Sequence, residues 1–257
     1  MIDTHCHLTF PDYEGRVDEE LRLAREAGVH TVITIATGVP NGTQTVALAD
    51  KHERLFATTG VHPLYAHEGP HDWGLMLETA RHPKCVAFGE LGLDNHYDAE
   101  HRPVQHAVLD AQLGAIVDSG MDLPIVLHCR EAFDELIPTL EKTGIPGSRF
   151  VFHCFTAGPR EMEMLLAFGA MVSLTGVVTY KNAKDVQEAA LLAPSDRLMV
   201  ETDAPFLTPA PHRGVRPNAP RFVPVIGRFL AELRGADPDD FEPTLDANST
   251  RCFRLPE

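Results

Sequence analysis

Two histidines near the start of the chain have the spacing of a metal-binding pair. His5 and His7 are separated by one residue and follow a short apolar start. On an extended backbone, alternate side chains point to the same face, so both imidazoles would lie together. Neutral imidazoles each offer one nitrogen lone pair and suit a divalent transition metal. The pair alone fits two exposed polar residues equally well, because the chain holds 14 histidines.

Four further potential ligands occur where other short apolar runs end. They are Glu90, His128, His153 and Asp203. All six residues are histidine or carboxylate and none is lysine or arginine, which favours metal binding over ion pairs at a protein rim. Six ligands exceed the needs of one tetrahedral zinc and match two ions with a shared carboxylate.

The expected cofactors are therefore two divalent ions, of zinc, magnesium or manganese. His5 and His7 are expected to bind one ion, and His128 and His153 the other. Glu90 is expected to bridge the two ions. Asp203 is expected to contact the first ion and the attacking water, which makes Asp203 and Glu90 the predicted catalytic residues.

The elements that carry these residues alternate between strand and helix. Apolar and β-branched runs predict a first strand that ends with His5 and His7, and seven others at 31–36, 55–61, 85–90, 123–128, 149–153, 170–174 and 198–203. Helical periodicity predicts helices at 16–27, 42–52 (capped by Asn41), 73–82, 101–119, 131–142, 159–168, 182–193, 220–234 and 238–251.

This order indicates an α/β fold, a (β/α)8 TIM barrel with one domain spanning residues 1–257. A doubly wound open sheet is the alternative, but it normally has fewer strands, and no Gly-x-Gly-x-x-Gly turn follows the first strand. In a barrel the carboxyl ends of all strands converge on one mouth, where the six ligands and the Pro-rich loop 205–224 would meet.

Composition limits the partners and the compartment. The net charge of −15 excludes a long basic footprint on duplex DNA, so any nucleic-acid contact should be small, local and transient. No apolar run approaches the length of a membrane span, and the polar N-terminus does not resemble a signal peptide. Five cysteines without a close pair indicate reduced thiols that serve packing. We therefore expect a cytoplasmic monomer.

The ordered motifs resemble the TatD family, metal-dependent hydrolases of the amidohydrolase-like barrels that are generally described as deoxyribonucleases. The resemblance runs from residue 2 to about 250. It is carried by His5-Cys-His7, Gly60-Val-His-Pro63, Gly89-Glu-Leu-Gly-Leu-Asp94, Leu127-His-Cys-Arg130, Phe152-His-Cys-Phe155, Glu201-Thr-Asp-Ala-Pro205, Arg213-Gly-Val-Arg-Pro-Asn218 and Asn248-Ser-Thr-Arg251. The resemblance implies the same six metal ligands. Two positions depart from the family pattern: Asn95, where an aromatic is frequent, and Cys252 before Phe253.

Several other residues are candidates for supporting roles. His62 could orient substrate or a ligand, or be a hydrogen-bonded rim histidine. Arg130 could hold a phosphate oxygen or form a surface ion pair, and Arg213 and Arg216 lie on the long final loop as further phosphate contacts. Asp94 and Glu201 adjoin the ligands and could hydrogen-bond them.

The expected reaction is metal-assisted hydrolysis, with Asp203 accepting a proton from the attacking water. Mainly because of the resemblance, the preferred substrate is a phosphodiester at a DNA end, cleaved by an exonuclease. The rival interpretation is acyl or amide hydrolysis, by an aminoacyl-tRNA deacylase or a small-molecule amidohydrolase. A non-catalytic metal-binding module is the third.

Overall fold

The computed structural model describes residues 1–256, and eight parallel strands form one sheet in the order of the chain. The strands are Ile2–Cys6 (β1), Thr31–Thr34 (β2), Leu55–Thr59 (β3), Cys85–Asp94 (β4), Ile125–Arg130 (β5), Phe150–Phe152 (β6), Met171–Leu174 (β7) and Leu198–Val200 (β8). The helices are Val17–Glu26 (α1), Val39–Ala49 (α2), Trp73–Ala80 (α3), Arg102–Ser119 (α4), Phe133–Glu141 (α5), Pro159–Phe168 (α6), Lys184–Leu192 (α7), Val223–Leu233 (α8) and Pro238–Phe253 (α9). The predicted TIM barrel is confirmed.

The first and last strands are joined by side-chain and backbone hydrogen bonds. Asp3, buried in β1, accepts hydrogen bonds from the backbone N–H and the hydroxyl of Thr202, at 2.9 and 2.6 Å. The backbone N–H of Asp203 donates to His5 O at 2.9 Å, and that of His7 donates to Ala204 O at 2.7 Å. These bonds close the barrel and bring the segment after β8 beside His5 and His7.

The apolar residues form two clusters, as expected for strands buried on both faces. One contains alternate strand residues such as Ile2, Ile33, Val126 and Met199, with Phe253 from the end of α9. The larger cluster packs the other strand residues against the surrounding helices. Cys252 packs partly buried against the first cluster, so the Cys252-Phe253 pair serves packing, as predicted.

Several predicted boundaries are wrong. Asn41 does not cap α2: the helix begins at Val39, because Pro40 is tolerated in a first turn, and Asn41 Oδ1 instead accepts from the N–H of Thr37. Strand β4 continues to Asp94, so Glu90 lies within the strand rather than at its end. Strand β8 ends at Val200, three residues before Asp203.

The long segment after β8 has little regular structure but is internally bonded. Asn218 donates through Nδ2 to the carbonyls of Thr202 and Phe206, at 2.9 and 2.5 Å. Its own N–H donates to Pro205 O at 3.0 Å. The segment therefore folds back onto the barrel mouth, as predicted for 205–224. Among residues 1–256, no helix has the length and apolar character needed to span a bilayer.

Candidate metal centre

The six predicted ligand residues lie together at the mouth of the barrel, with Glu90 inside β4 and the others at or beyond the ends of their strands. His5 is in β1 and His7 one residue beyond it, His128 is in β5, and His153 directly follows β6. The rings of His5 and His153 stack with their centroids 3.8 Å apart. Strands separated by more than a hundred residues of chain therefore converge at one point, as the sequence analysis expected.

Glu90 lies between two groups of histidines, and each of its oxygens faces one group. Oε2 lies 3.2 Å from His5 Nε2 and 3.9 Å from His7 Nε2. Oε1 lies 2.6 Å from His153 Nε2 and 3.0 Å from His128 Nδ1. Ligands about 2.1 Å from a tetrahedral zinc are separated by about 3.4 Å. The distances from Oε2 lie on either side of that value, whereas those from Oε1 are shorter and are hydrogen-bonding distances that an ion would have to widen.

A glycine allows Glu90 to reach this position. Gly89 has φ +134°, a conformation that residues with a side chain rarely adopt. A Cβ atom at Gly89 would lie 2.7 Å from the carbonyl oxygen of Val126 in β5. Strand β4 can therefore approach β5 closely enough to put the Glu90 carboxylate at the centre of the barrel mouth.

Asp203 lies on the His5 and His7 side of Glu90. Its Oδ1 is 3.5 Å from His7 Nε2 and 3.7 Å from His5 Nε2. Its backbone has φ +53°, an uncommon conformation for a residue other than glycine, though aspartate and asparagine adopt it more readily than most. This turn directs the carboxylate back toward the end of β1.

Further hydrogen bonds orient the histidine rings. Asp94 Oδ2 lies 2.8 Å from His128 Nε2, on the opposite side of the ring from Glu90. Glu201 Oε1 lies 3.2 Å from His153 Nδ1 and also accepts from the N–H of Cys154. Such contacts set the ring nitrogen that faces an ion and raise its basicity. Asp94 and Glu201 thus have the positions that the sequence analysis expected of them.

His62 contacts the same carboxylate. Its Nδ1 accepts a hydrogen bond from the N–H of Leu64 at 3.1 Å, which leaves the proton of a neutral ring on Nε2. Nε2 lies 3.4 Å from Glu90 Oε1 and 3.2 Å from His128 Nδ1. Burial lowers the pKa of His62 to about 3, so the ring is neutral at ordinary pH. His62 Nε2 therefore lies against both side chains, with its hydrogen bond to His128 and a close contact to Glu90.

The charge states suit a cation. Burial lowers the pKa of His5, which keeps its lone pair available. Burial alone would raise the pKa of Glu90 and Asp203, but the neighbouring histidines outweigh it and lower both. Within residues 1–256, the ion-pair partners of Glu90 and Asp203 are histidines alone. Burial alone would lower the pKa of His128 and His153, but Asp94 and Glu90 raise it for His128, and Glu90 and Glu201 raise it for His153. A divalent ion would displace the protons that these two rings take up. A set of imidazoles and ionised carboxylates without a lysine or arginine fits divalent ions.

The predicted arginines occupy three different positions. Arg130 borders a cavity of about 740 Å³ that also contains His7, Glu90, His128 and Asp203. Its Nη1 donates to Thr156 Oγ1 at 2.8 Å, while its buried Nε has no partner among the described residues. The Arg213 guanidinium stacks on the Tyr180 ring at 4.1 Å, and Tyr180 borders the cavity. Arg216 is exposed on the same loop and does not border the cavity.

Three further residues shape this mouth and were not predicted from the sequence. Asp3 holds the β8 end in place, and its only signal was a carboxylate two residues before His5. Tyr97 and Phe206 border the cavity with exposures of 70% and 47%. For Tyr97 the signal was Asn95, which stands where the family frequently has an aromatic residue. Tyr97 supplies an aromatic ring two residues later.

Comparisons with known proteins identify the family of the chain. Residues 2–254 match the family described as TatD related DNase. The chain is 31% identical over 256 residues to the "Uncharacterized metal-dependent hydrolase YabD" of Bacillus subtilis, with 99% of both proteins covered. It is 34% identical over 264 residues to the "3'-5' ssDNA/RNA exonuclease TatD" of Erwinia billingiae, with 100% of both covered.

A solved structure is similar over the whole chain. The crystal structure of YJJV, a TatD homologue from Escherichia coli K12, superposes with a TM-score of 0.90 at 31% identity, covering 100% of this chain and 98% of that one. Sequence similarity, fold and the histidine and carboxylate clusters at the barrel mouth lead to the same conclusion. The chain belongs to the TatD family of metal-dependent hydrolases.

Proposed function

We propose that the protein is an exonuclease that uses two divalent metal ions to hydrolyse the terminal phosphodiester of single-stranded DNA. The observation that carries the proposal is the position of Glu90, whose two oxygens face two separate groups of histidines. His5, His7 and Asp203 would hold one ion, and His128 and His153 the other. A single carboxylate shared in this way is the arrangement of a two-ion hydrolytic site.

The side chains around the site have distinct roles in the proposed reaction. Bound ions would supply Lewis-acid stabilisation of the negative charge that develops on the phosphate. Asp203 accepts a proton from the attacking water, because it is ionised, faces His5 and His7, and borders the cavity. His62 lies against Glu90, and Asp94 and Glu201 fix the rings of His128 and His153.

The cavity has features that suit a nucleotide. Its volume of about 740 Å³ accommodates a small ligand, and the exposed rings of Tyr97 and Phe206 lie at its border. Bases of single strands stack on such aromatic rings. The guanidinium of Arg130 borders the cavity and can donate to a phosphate oxygen. The exonuclease name of the Erwinia relative supports the same substrate class.

The surface charge favours recognition of an end over a long stretch of strand. The net charge of −15 opposes extended contact with a polyanion. The candidate phosphate contacts are few, namely Arg130 in the cavity and Arg213 and Arg216 on the final loop. We expect binding to depend only weakly on salt, with a slope of about one unit for each phosphate contact.

A comparison of linear and circular substrates tests the proposed function. Linear single-stranded DNA should be degraded in the presence of divalent ions, whereas a circle of the same sequence should be cleaved far more slowly because it offers no terminus. The assay follows released nucleotides, with a charged tRNA and a simple aryl ester in parallel. Equal cleavage of the circle would contradict end recognition. Hydrolysis of the esters without cleavage of DNA would establish the acyl hydrolase instead.

Removal of the Phe206 ring should weaken DNA binding through the loss of base stacking. Such stacking contributes about 1–3 kcal/mol per base, so Phe206→Ala should lower kcat/KM on linear DNA at least about fivefold, mainly through KM. DNA that ends in abasic nucleotides should show no such loss. Leu192→Ala is the control, because Leu192 is similarly exposed at 48% but does not border the cavity. An equal loss on both substrates would refute stacking by Phe206.

A further inference from the structure

A second cluster of potential metal ligands lies apart from the centre described above. It consists of His67, Asp98 and His101, and one ligand atom from each lies within 4.8 Å of the others. His67 belongs to a short 3₁₀ segment, Pro63–Glu68, that follows β3. Asp98 and His101 lie in the connection between β4 and α4. The cluster therefore joins the segments that follow two adjacent strands.

The contacts within the cluster leave an oxygen without a partner. His101 Nδ1 lies 2.6 Å from Asp98 Oδ1, and the rings of His67 and His101 stack with centroids 4.6 Å apart. Asp98 Oδ2 is buried and has no hydrogen-bond partner in the described part of the chain. A buried carboxylate oxygen without a donor costs free energy, and a cation beside it would remove that cost.

The backbone holds Asp98 in place for such a role. Gln105, buried in α4, donates through Nε2 to the carbonyls of both Asp94 and Asp98, at 3.1 and 3.0 Å. Asp94 Oδ1 in turn accepts from the N–H groups of His96 and Tyr97. The connection is thus anchored at both ends, and its carboxylate at position 98 is presented to the two histidines.

We propose that His67, Asp98 and His101 bind one divalent ion of the zinc class, in addition to the ions of the catalytic centre. Two imidazoles, one carboxylate and a water complete a tetrahedral shell. The widest pair of ligand atoms has to close by at most about 1.5 Å to reach the separation found on zinc. The exposed side chain of His67 and the half-buried side chain of His101 can rotate by that amount.

The bound ion would fasten the β4–α4 connection to the segment after β3. Tyr97, which borders the catalytic cavity, directly precedes Asp98 in that connection. Cross-linking of the two segments would therefore restrict the motion of Tyr97 at the cavity border. This role concerns the local order of the rim and does not depend on the substrate of the enzyme.

Zinc stoichiometry tests the site directly. The full chain, stripped of metal and dialysed against micromolar zinc, should bind one ion more than the His67→Ala or His101→Ala variant under the same conditions. Zinc should also slow amide hydrogen exchange in residues 95–101 of the unsubstituted protein and of a His128→Ala variant, but not of His67→Ala. The exchange measurement separates this site from the catalytic centre.

The control is His106→Ala, which removes a histidine of α4 that pairs with Glu135 outside the cluster. It should bind as much zinc as the unsubstituted protein. If His67→Ala and His101→Ala also retain the full zinc content, the site does not exist. The proposal is also overturned if the zinc content of the proteins differs only at millimolar zinc. That result marks adventitious binding to surface histidines.

Discussion

Glu90→Gln should abolish most activity and remove metal from both sides of the centre. The change conserves size but removes the negative charge that faces His5 on one side and His128 and His153 on the other. We expect a loss of about 10³-fold in kcat/KM, or about 4 kcal/mol. Elemental analysis should find two ions fewer per chain than in the unsubstituted protein, whereas His128→Ala should lose only one.

Two comparisons make the Glu90 result specific. Glu131→Gln alters an exposed carboxylate that pairs with His96 and contacts no histidine of the centre, so its metal content and activity should stay unchanged. Chelation of the unsubstituted protein should abolish hydrolysis, and added divalent ions should restore it. If Glu90→Gln retains all its ions, Glu90 does not bridge two sites. Activity that is indifferent to the chelator would contradict metal-assisted hydrolysis altogether.

The sequence was sufficient to predict the barrel because its strands are short apolar runs and its helices have regular periodicity. The convergence of His5, His128 and His153 then followed from the rule that parallel strands end at one mouth. Strand ends were less predictable. Glu90 looked like the last residue of its strand, since the apolar run Cys85-Val-Ala-Phe stops before it, yet pairing with β5 continues to Asp94.

Other features depend on distances that no local pattern encodes. The role of His62 follows from which of its nitrogens faces Leu64 and which faces Glu90. The cluster of His67, Asp98 and His101 combines residues about thirty positions apart on two irregular segments, where no periodicity indicates proximity. Arg213 was expected to face phosphate, but its stacking on Tyr180 is a pairing between two loops that the sequence could not predict.

Asp203→Asn should lower turnover while leaving the metal content nearly intact, in contrast to Glu90→Gln. Asparagine adopts the φ of +53° at this position as readily as aspartate, so the fold is preserved. The amide still offers an oxygen toward His5 and His7 but cannot accept a proton from water. Because positioned general bases contribute about 10²- to 10⁴-fold, we expect kcat to fall about 10²- to 10³-fold with little change in KM.

The pH dependence distinguishes this role from metal binding. The hydrogen bond to His7 and the charges of His5 and His153 outweigh burial and hold the pKa of Asp203 below its usual value of 3.8. The carboxylate is therefore ionised throughout the neutral range. Burial alone would lower the pKa of His128, but hydrogen bonds to Asp94 and Glu90 raise it above 6.5, so acidification from about pH 7 to about pH 5 makes protons compete with an ion at His128 before Asp203 is protonated. Activity and metal content of the unsubstituted protein should fall together over that range.

The rate of the Asp203→Asn variant should fall over the same pH range as that of the unsubstituted protein, but it should be lower at every pH. The reason is that the Asp203 carboxylate does not titrate in that range. Steady-state kinetics across this range, with elemental analysis at each pH, provide the measurement. Asp118→Asn, an exposed carboxylate near the end of α4, should leave rate and metal content unchanged. If Asp203→Asn keeps the full rate, Asp203 is not the group that accepts the proton. One that loses its ions as Glu90→Gln does would make Asp203 essential for metal binding instead.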